Sequence, residues 1–290
     1  MKLVTFTHEG STRIGAVAGN EVADGSAAPG LPRDMLGFLE AGRSALDGLA
    51  RLIESGRGRI PLEAVHLGPP VPRPPKFLAI GLNYADHIAE TGRERPEFPA
   101  FFNKQPTCVN GPYDPIHRPR VSEKLDYEGE LGFVIGRRCR HVPKERAREV
   151  IAGYLIVNDV SVRDWQARAP TMTLGKSFDT HGPIGPWIVT PDEVSDPHVL
   201  ALKTWVNGGL RQSSNTRHMI FNCYHQVEVL STAFTLEPGD IVSTGTCSGV
   251  GVLMKPRGYL KIGDVVRVEV DGIGYIENRV IEEPADSARI

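Results

Sequence analysis

The segment Asp126-Tyr127-Glu128-Gly129-Glu130 runs directly into Leu131-Gly132-Phe133-Val134-Ile135. The second half is apolar, β-branched and aromatic, the composition of a buried strand, and Gly136-Arg137 ends it. On a strand, side chains two apart share a face and each residue advances the chain by about 3.3 Å. Glu128 and Glu130 therefore project together, with Gly129 leaving the opposite face open. Two carboxylates beside an apolar strand repel each other and lose water. A cation relieves both problems, and a solvated strand end is the other reading. A second apolar run, Tyr154–Val162, contains Asp159. A carboxylate inside such a run is costly unless it is paired or metal-bound. Together Glu128, Glu130 and Asp159 offer three hard oxygen ligands, a set suited to Mg2+, Mn2+ or Ca2+ rather than zinc. Such a site keeps open positions for a chelating substrate. An ion-pair network with Arg163 or Arg137 is the structural alternative.

Other residues have types and spacings suited to chemistry. His87 and Glu90 stand three apart in a helical stretch, so the carboxylate can orient the imidazole as a general base. A surface His–Glu pair satisfies the same pattern. Lys176 lies in a glycine- and proline-punctuated loop with few other charges near, as an oxyanion stabiliser or a solvated lysine. Arg163 and Gln166 share a face of one or two helical turns after the Asp159 strand. The loop Gly245–Gly251 can cradle an anion with backbone N–H groups, but it lacks the lysine of a nucleotide-binding P-loop. Neither HExxH nor GxSxG occurs, which leaves zincins and serine α/β-hydrolases unsupported.

The elements that must position these residues are mainly strands. The 290 residues include 31 glycines and 23 prolines, which implies many turns and a β-rich fold. Lys2–Thr7 and Thr12–Ala18 read as strands, and residues 31–53 as helical. The stiff run Gly68–Pro75 marks a boundary between a small N-terminal α+β domain, 1–70, and a larger domain, 75–284. Within the larger domain we expect strands at Lys76–Gly81, Phe101–Lys104, Asp114–Ile116 and Asp240–Thr244, and helices near Pro143–Ile151 and over Phe221–Phe234. Hairpins are expected around Asn207-Gly208 and Asp271-Gly272. Residues 84–99 combine a short helix with a charged, proline-bearing segment, the composition of a mobile lid. A net charge of −2 without a Lys/Arg-rich tract argues against nucleic acid. No apolar run is long enough for a membrane span. Four scattered cysteines without a CxxC pair, and a start that turns polar too soon for a signal peptide, fit a reduced cytoplasmic protein.

Taken together, Gly81-Leu82-Asn83-Tyr84-Ala85-Asp86-His87, Asp126–Gly132, Asp159 to Gln166, Lys176-Ser177-Phe178-Asp179, Gly182–Trp187 and Thr244-Gly245-Thr246 closely resemble the fumarylacetoacetate hydrolase family over about residues 75–282. The resemblance implies a mixed β-sandwich-like roll, a homodimer, and a Mg2+ or Mn2+ ion. It implies that Glu128, Glu130 and Asp159 ligate the ion, that His87 and Glu90 on a lid helix activate water, and that Lys176 stabilises an oxyanion. Arg163 and Gln166 match polar groups near metal and substrate, and Thr246 matches a residue holding a substrate carboxylate. The shared chemistry is an enolate of a 2-oxo acid. It leads to carbon–carbon hydrolysis of a β-diketone such as an acylpyruvate, or to decarboxylation or keto–enol isomerisation of a 2-oxo diacid. A non-catalytic metal- or carboxylate-binding protein is the other class. Two residues depart from the family pattern. Leu82 stands where some acylpyruvase-type members carry arginine, which removes one substrate-carboxylate partner, and Cys247 stands where many have proline, within the anion-holding loop.

Overall fold

Strands Gly129–Ile135 and Ile151–Asn158 pair antiparallel near the middle of a twelve-stranded mixed sheet. The computed structural model describes residues 1–287. Side chains of these two strands alternate between two cores, as a period of two requires. Leu131, Phe133, Ile135, Tyr154 and Ile156 pack with Leu202, Val266, Val268 and Ile276 of a five-stranded sheet. Val134, Leu155 and Val157 face the other way, onto Ile184 and Ile241 and onto Phe38, Leu49 and Leu52 of helices Met35–Ala41 and Arg43–Ser55. A strand buried on both faces reads as a continuous apolar run. That is why these segments stand out in the sequence.

The large sheet rolls up. Outward from Gly129–Ile135 come Ile241–Ser243, Phe77–Gly81 and Ala100–Lys104. After the turn Pro106–Cys108, the short strand Val109–Asn110 pairs in parallel with Gly182-Pro183, on the strand that flanks Ile151–Asn158. The sheet's far edge thus returns to its middle. At the closure, a Cβ on Gly182 would stand 2.8 Å from Cys108 Sγ and 3.0 Å from the Phe77 ring, so the two walls approach as closely as glycine permits. This is the β-rich, sandwich-like roll that the sequence implied.

The first three strands, Lys2–His8, Ser11–Ala18 and Glu21–Asp24, extend the same sheet, because Lys2 and Leu3 pair with Val189 and Ile188. The proline-rich stretch 68–75 lies outside any helix or strand. The segments on its two sides share one core, in which Leu3 and Phe38 cluster with Phe77 and Val134.

The helix expected near Pro143–Ile151 is Lys144–Val150, wound as a 3-10 helix. Its buried residues, Ala147 and Val150, are three apart and so share a face at three residues per turn. The strand expected at Asp114–Ile116 is Ile116–Arg118, since Pro115 has no N–H to donate to a ladder. The face opposite Glu128 and Glu130 is closed, not open. A Cβ on Gly129 would stand 2.2 Å from Thr204 Oγ1 and 2.9 Å from Val268 Cγ1. Glycine is there because the five-stranded sheet packs against it. Gly129→Ala should therefore overpack this contact and destabilise the fold by about 1–3 kcal/mol. Thermal unfolding measures this; an unchanged midpoint would show that the face has room.

Candidate metal centre and its lid

Glu128 sits between the two-residue strand Leu125–Asp126 and the strand that begins at Gly129. Its carbonyl accepts from Asp159 N at 2.8 Å, and its N–H donates to Asn158 Oδ1 at 3.1 Å. These bonds stitch together the irregular ends of two paired strands. Glu128, Glu130 and Asp159 consequently meet, all buried, with carboxylate oxygens within 4.8 Å of one another. Asp159 is not inside its strand as expected. It follows Asn158, the last strand residue, where Val160 N bonds back to Asn158 O at 2.9 Å. That turn takes the carboxylate out of the ladder and into the cluster.

The cluster is crowded with charge. Burial pushes the Glu128 carboxyl up, but Lys176 and Arg163 more than offset this and hold it at about 2. Burial raises Glu130 well above the usual carboxylate range, and the neighbouring Asp159 and Glu128 raise it further. Neutral donors hold Glu130 Oε2: Ser243 Oγ at 2.6 Å and Gly245 N at 2.7 Å. A divalent ion would supply the countercharge that these neutral donors do not. An all-oxygen donor set of this kind fits Mg2+ or Mn2+.

Lys176 lies at the centre of the cluster, not in a charge-poor loop. Its buried ammonium is 2.7 Å from both Glu128 Oε2 and Asp159 Oδ2. Burial alone would lower its pKa; Asp159 and Glu128 outweigh burial and raise it, so it stays a cation. Arg163 Nε is 2.8 Å from Asp126 Oδ2 and Nη1 is 2.7 Å from Glu128 Oε1. Nη1 also donates to Gln166 Oε1 at 3.0 Å. Gln166 Nε2 rests 3.4 Å from Met172 Sδ, a weak acceptor. Thr246 is buried, and its hydroxyl is engaged within the protein. It accepts from Gln212 Nε2 at 2.8 Å and donates to Gly129 O at 3.0 Å. The hydroxyl therefore anchors the Gly245–Gly251 loop to the acidic strand.

The helix expected within residues 84–99 is Ala85–Thr91, stopped by Gly92 in the left-handed conformation. Its root is fixed by Asn83, which donates to Phe221 O and Thr244 O at 3.0 and 2.7 Å and accepts from Phe221 N at 2.8 Å. Within the helix, His87 Nδ1 lies 3.0 Å from Glu90 Oε2. Glu90 Oε1 accepts from Gly249 N at 2.9 Å, so one carboxylate both orients the imidazole and ties the helix to the opposite loop. A carboxylate at Nδ1 favours the tautomer with its proton there, leaving Nε2 as the basic atom.

The structure adds residues that the sequence did not assign. Asp126 accepts from Arg163 and from the N–H groups of Gly251 and Val252, both at 2.9 Å. Its place two residues before Glu128 was the available signal. Lys104 reaches Asp159 from across the roll. A lysine ending an apolar strand is ordinarily solvated, so nothing in the sequence marked it.

Residues 76–281 match the family model described as fumarylacetoacetate (FAA) hydrolase C-terminal. The chain belongs to the fumarylacetoacetate hydrolase family. It is 41% identical to the mitochondrial oxaloacetate tautomerase of Xenopus laevis over 288 residues, 97% of this chain and 90% of that protein. Among solved structures, the fumarylacetoacetate hydrolase of the psychrophile Exiguobacterium antarcticum is 36% identical, with a TM-score of 0.85 over 98% of this chain and 100% of that one. The maleylpyruvate hydrolase of Sphingobium sp. SYK-6, solved with manganese(II) and pyruvate, is 34% identical, with a TM-score of 0.81 and the same coverage. These fumarylacetoacetate hydrolase family members are enzymes, hydrolases and tautomerases alike. Among the described residues, no helix is long and apolar enough to cross a membrane.

Proposed function

We propose that this chain is a Mg2+- or Mn2+-dependent enzyme of 2-oxo acids that cleaves the carbon–carbon bond of a β-diketone substrate, of the acylpyruvate or diketo-acid type. The observation that supports it is the meeting of Glu128, Glu130 and Asp159, together with a His87 imidazole oriented by Glu90. These three carboxylates would hold the ion, whose chemistry when bound is Lewis-acid stabilisation of negative charge on the 2-oxo oxygen. Lys176 adds a fixed positive charge at the same place. Gln166 Nε2, which otherwise rests on Met172 Sδ, donates to a substrate oxygen. His87 Nε2 takes a proton from water, which attacks the carbonyl remote from the 2-oxo group. The electron pair of the broken bond passes to the carbon beside the 2-oxo group, and the imidazolium returns a proton to it. Residues 84–99 act as the lid that excludes bulk water, latched by Glu90 on Gly249.

A second reading is keto–enol tautomerisation or decarboxylation of a 2-oxo diacid such as oxaloacetate. The 41% identity to the Xenopus tautomerase across nearly the whole chain favours it, and so does Leu82 in place of an arginine. In the tautomerisation His87 would take its proton from carbon rather than from water. Proton NMR of the Mg2+-supplemented protein with acylpyruvates, sugar-derived diketo acids and oxaloacetate separates the two. Formation of pyruvate and a carboxylic acid is the expected result. Accelerated enol–keto exchange of oxaloacetate without diketone cleavage would replace the first reading by the second, and turnover of none of these would overturn both.

A further inference from the structure

We propose that Lys104 sets the charge of the metal centre: it makes the ion-loaded site net positive, so that the site receives an anionic substrate, and in doing so weakens the hold on the ion. The inference rests on the reading of Glu128, Glu130 and Asp159 as metal ligands.

Lys104 ends the strand Ala100–Lys104, and its side chain is fully buried. Its ammonium donates to Asp159 Oδ1 at 2.7 Å and to the backbone carbonyl of Lys176. A buried lysine needs anionic partners to remain charged, and here it shares the one that Lys176 also holds through Oδ2. Lys104, Lys176 and Arg163 are the three cationic heads of the cluster, facing the four carboxylates of Asp126, Glu128, Glu130 and Asp159. The lid pair stands at the rim, with Glu90 still partly exposed.

With all four carboxylates deprotonated, as ligation of an ion requires, one negative charge is left over. A divalent ion turns the total to plus one, and the carboxylate of a 2-oxo acid brings it to zero. Without Lys104 the same ion reaches only neutrality. The substrate carboxylate would then leave an uncompensated charge in a buried site, where charges interact more strongly than in water. Lys104 contacts neither His87 nor Glu90 in its bonding, so it acts on the ion and the substrate through charge and through Asp159.

A purely structural lysine predicts something else. Removing it would loosen Asp159 and the backbone at Lys176, weakening ion and substrate together. The two accounts differ in sign for the ion.

Isothermal calorimetry of the full chain tests this with Mn2+ alone, then with pyruvate added to the Mn2+-loaded protein. The variants are Lys104→Met and Lys104→Gln; the glutamine keeps a donor near Asp159 and serves if the methionine variant does not fold. Loss of one charge at this range should change each affinity by about tenfold or more. The expected result is a lower Kd for Mn2+ and a higher Kd for pyruvate. Weakening of both, or no change in either, would overturn the role of Lys104 while leaving the metal site standing. Failure of the wild-type protein to bind Mn2+ would overturn the metal reading and this inference together.

Discussion

Asp159→Asn should abolish activity on every substrate of the site, diketone and oxaloacetate alike. Asparagine keeps the shape of the side chain but removes its charge and turns one acceptor into a donor. In the native protein Oδ1 accepts from Lys104 and Oδ2 from Lys176. One of these ammonium groups would then face an amide NH2. The ion would lose one of three anionic ligands, and the variant's remaining carboxylates would face the same cations with less charge. Charge stabilisation by a bound divalent ion is worth several kcal/mol. At 1.36 kcal/mol per decade, kcat/KM should fall by about 10³-fold or more. Steady-state kinetics with saturating Mg2+ measures the loss, and circular dichroism checks that the variant is folded. A folded Asp159→Asn protein that kept a tenth of wild-type activity would contradict the assignment.

His87→Ala should separate the reactions instead of removing them together. Cleavage of a β-diketone needs an attacking water, and general-base catalysis is typically worth about 10²–10⁴-fold. Decarboxylation of oxaloacetate needs electron withdrawal more than an added water, so it should fall much less. Glu90→Gln should follow in the same direction for a geometric reason. Glu90 Oε1 is held by Gly249 N, and Oε2 faces His87 Nδ1. A glutamine that keeps its oxygen on Gly249 turns its NH2 toward Nδ1. The imidazole then accepts there and carries its proton on Nε2, where the base is needed. The comparison is kcat for both substrates in both variants. Equal loss of both activities in His87→Ala, or wild-type cleavage of the preferred diketone, would remove His87 from the role of base.

Much of the site could be read from the sequence because strand geometry is local. Glu128 and Glu130 are two apart at the start of a strand, and His87 and Glu90 three apart on a helix, so their proximity follows from backbone periodicity. The paired central strands were legible because burial on both faces leaves a continuous apolar run. Other features depend on contacts between distant segments. Gly129 looked like an open face until Thr204 and Val268 of the second sheet filled it. Lys104 carries no local signal, and only the roll brings it 2.7 Å from Asp159, 55 residues later in the chain. Lys176 looked isolated for the same reason. The resemblance implied a substrate carboxylate as the partner of Thr246; within the protein its hydroxyl bonds to Gln212, a partner on the other sheet. Loop residues gain their partners from tertiary structure, and no local period announces them.

The proposed chemistry requires that Glu128, Glu130 and Asp159 hold one divalent ion. Calorimetric titration of Mn2+ into the wild-type chain and into Glu130→Ala tests it most directly, because Glu130 is the carboxylate held by neutral donors alone. One ion per chain in the wild type, and loss of that binding in a folded Glu130→Ala variant, is the expected result. One ion per chain at unchanged affinity in the folded variant would contradict it.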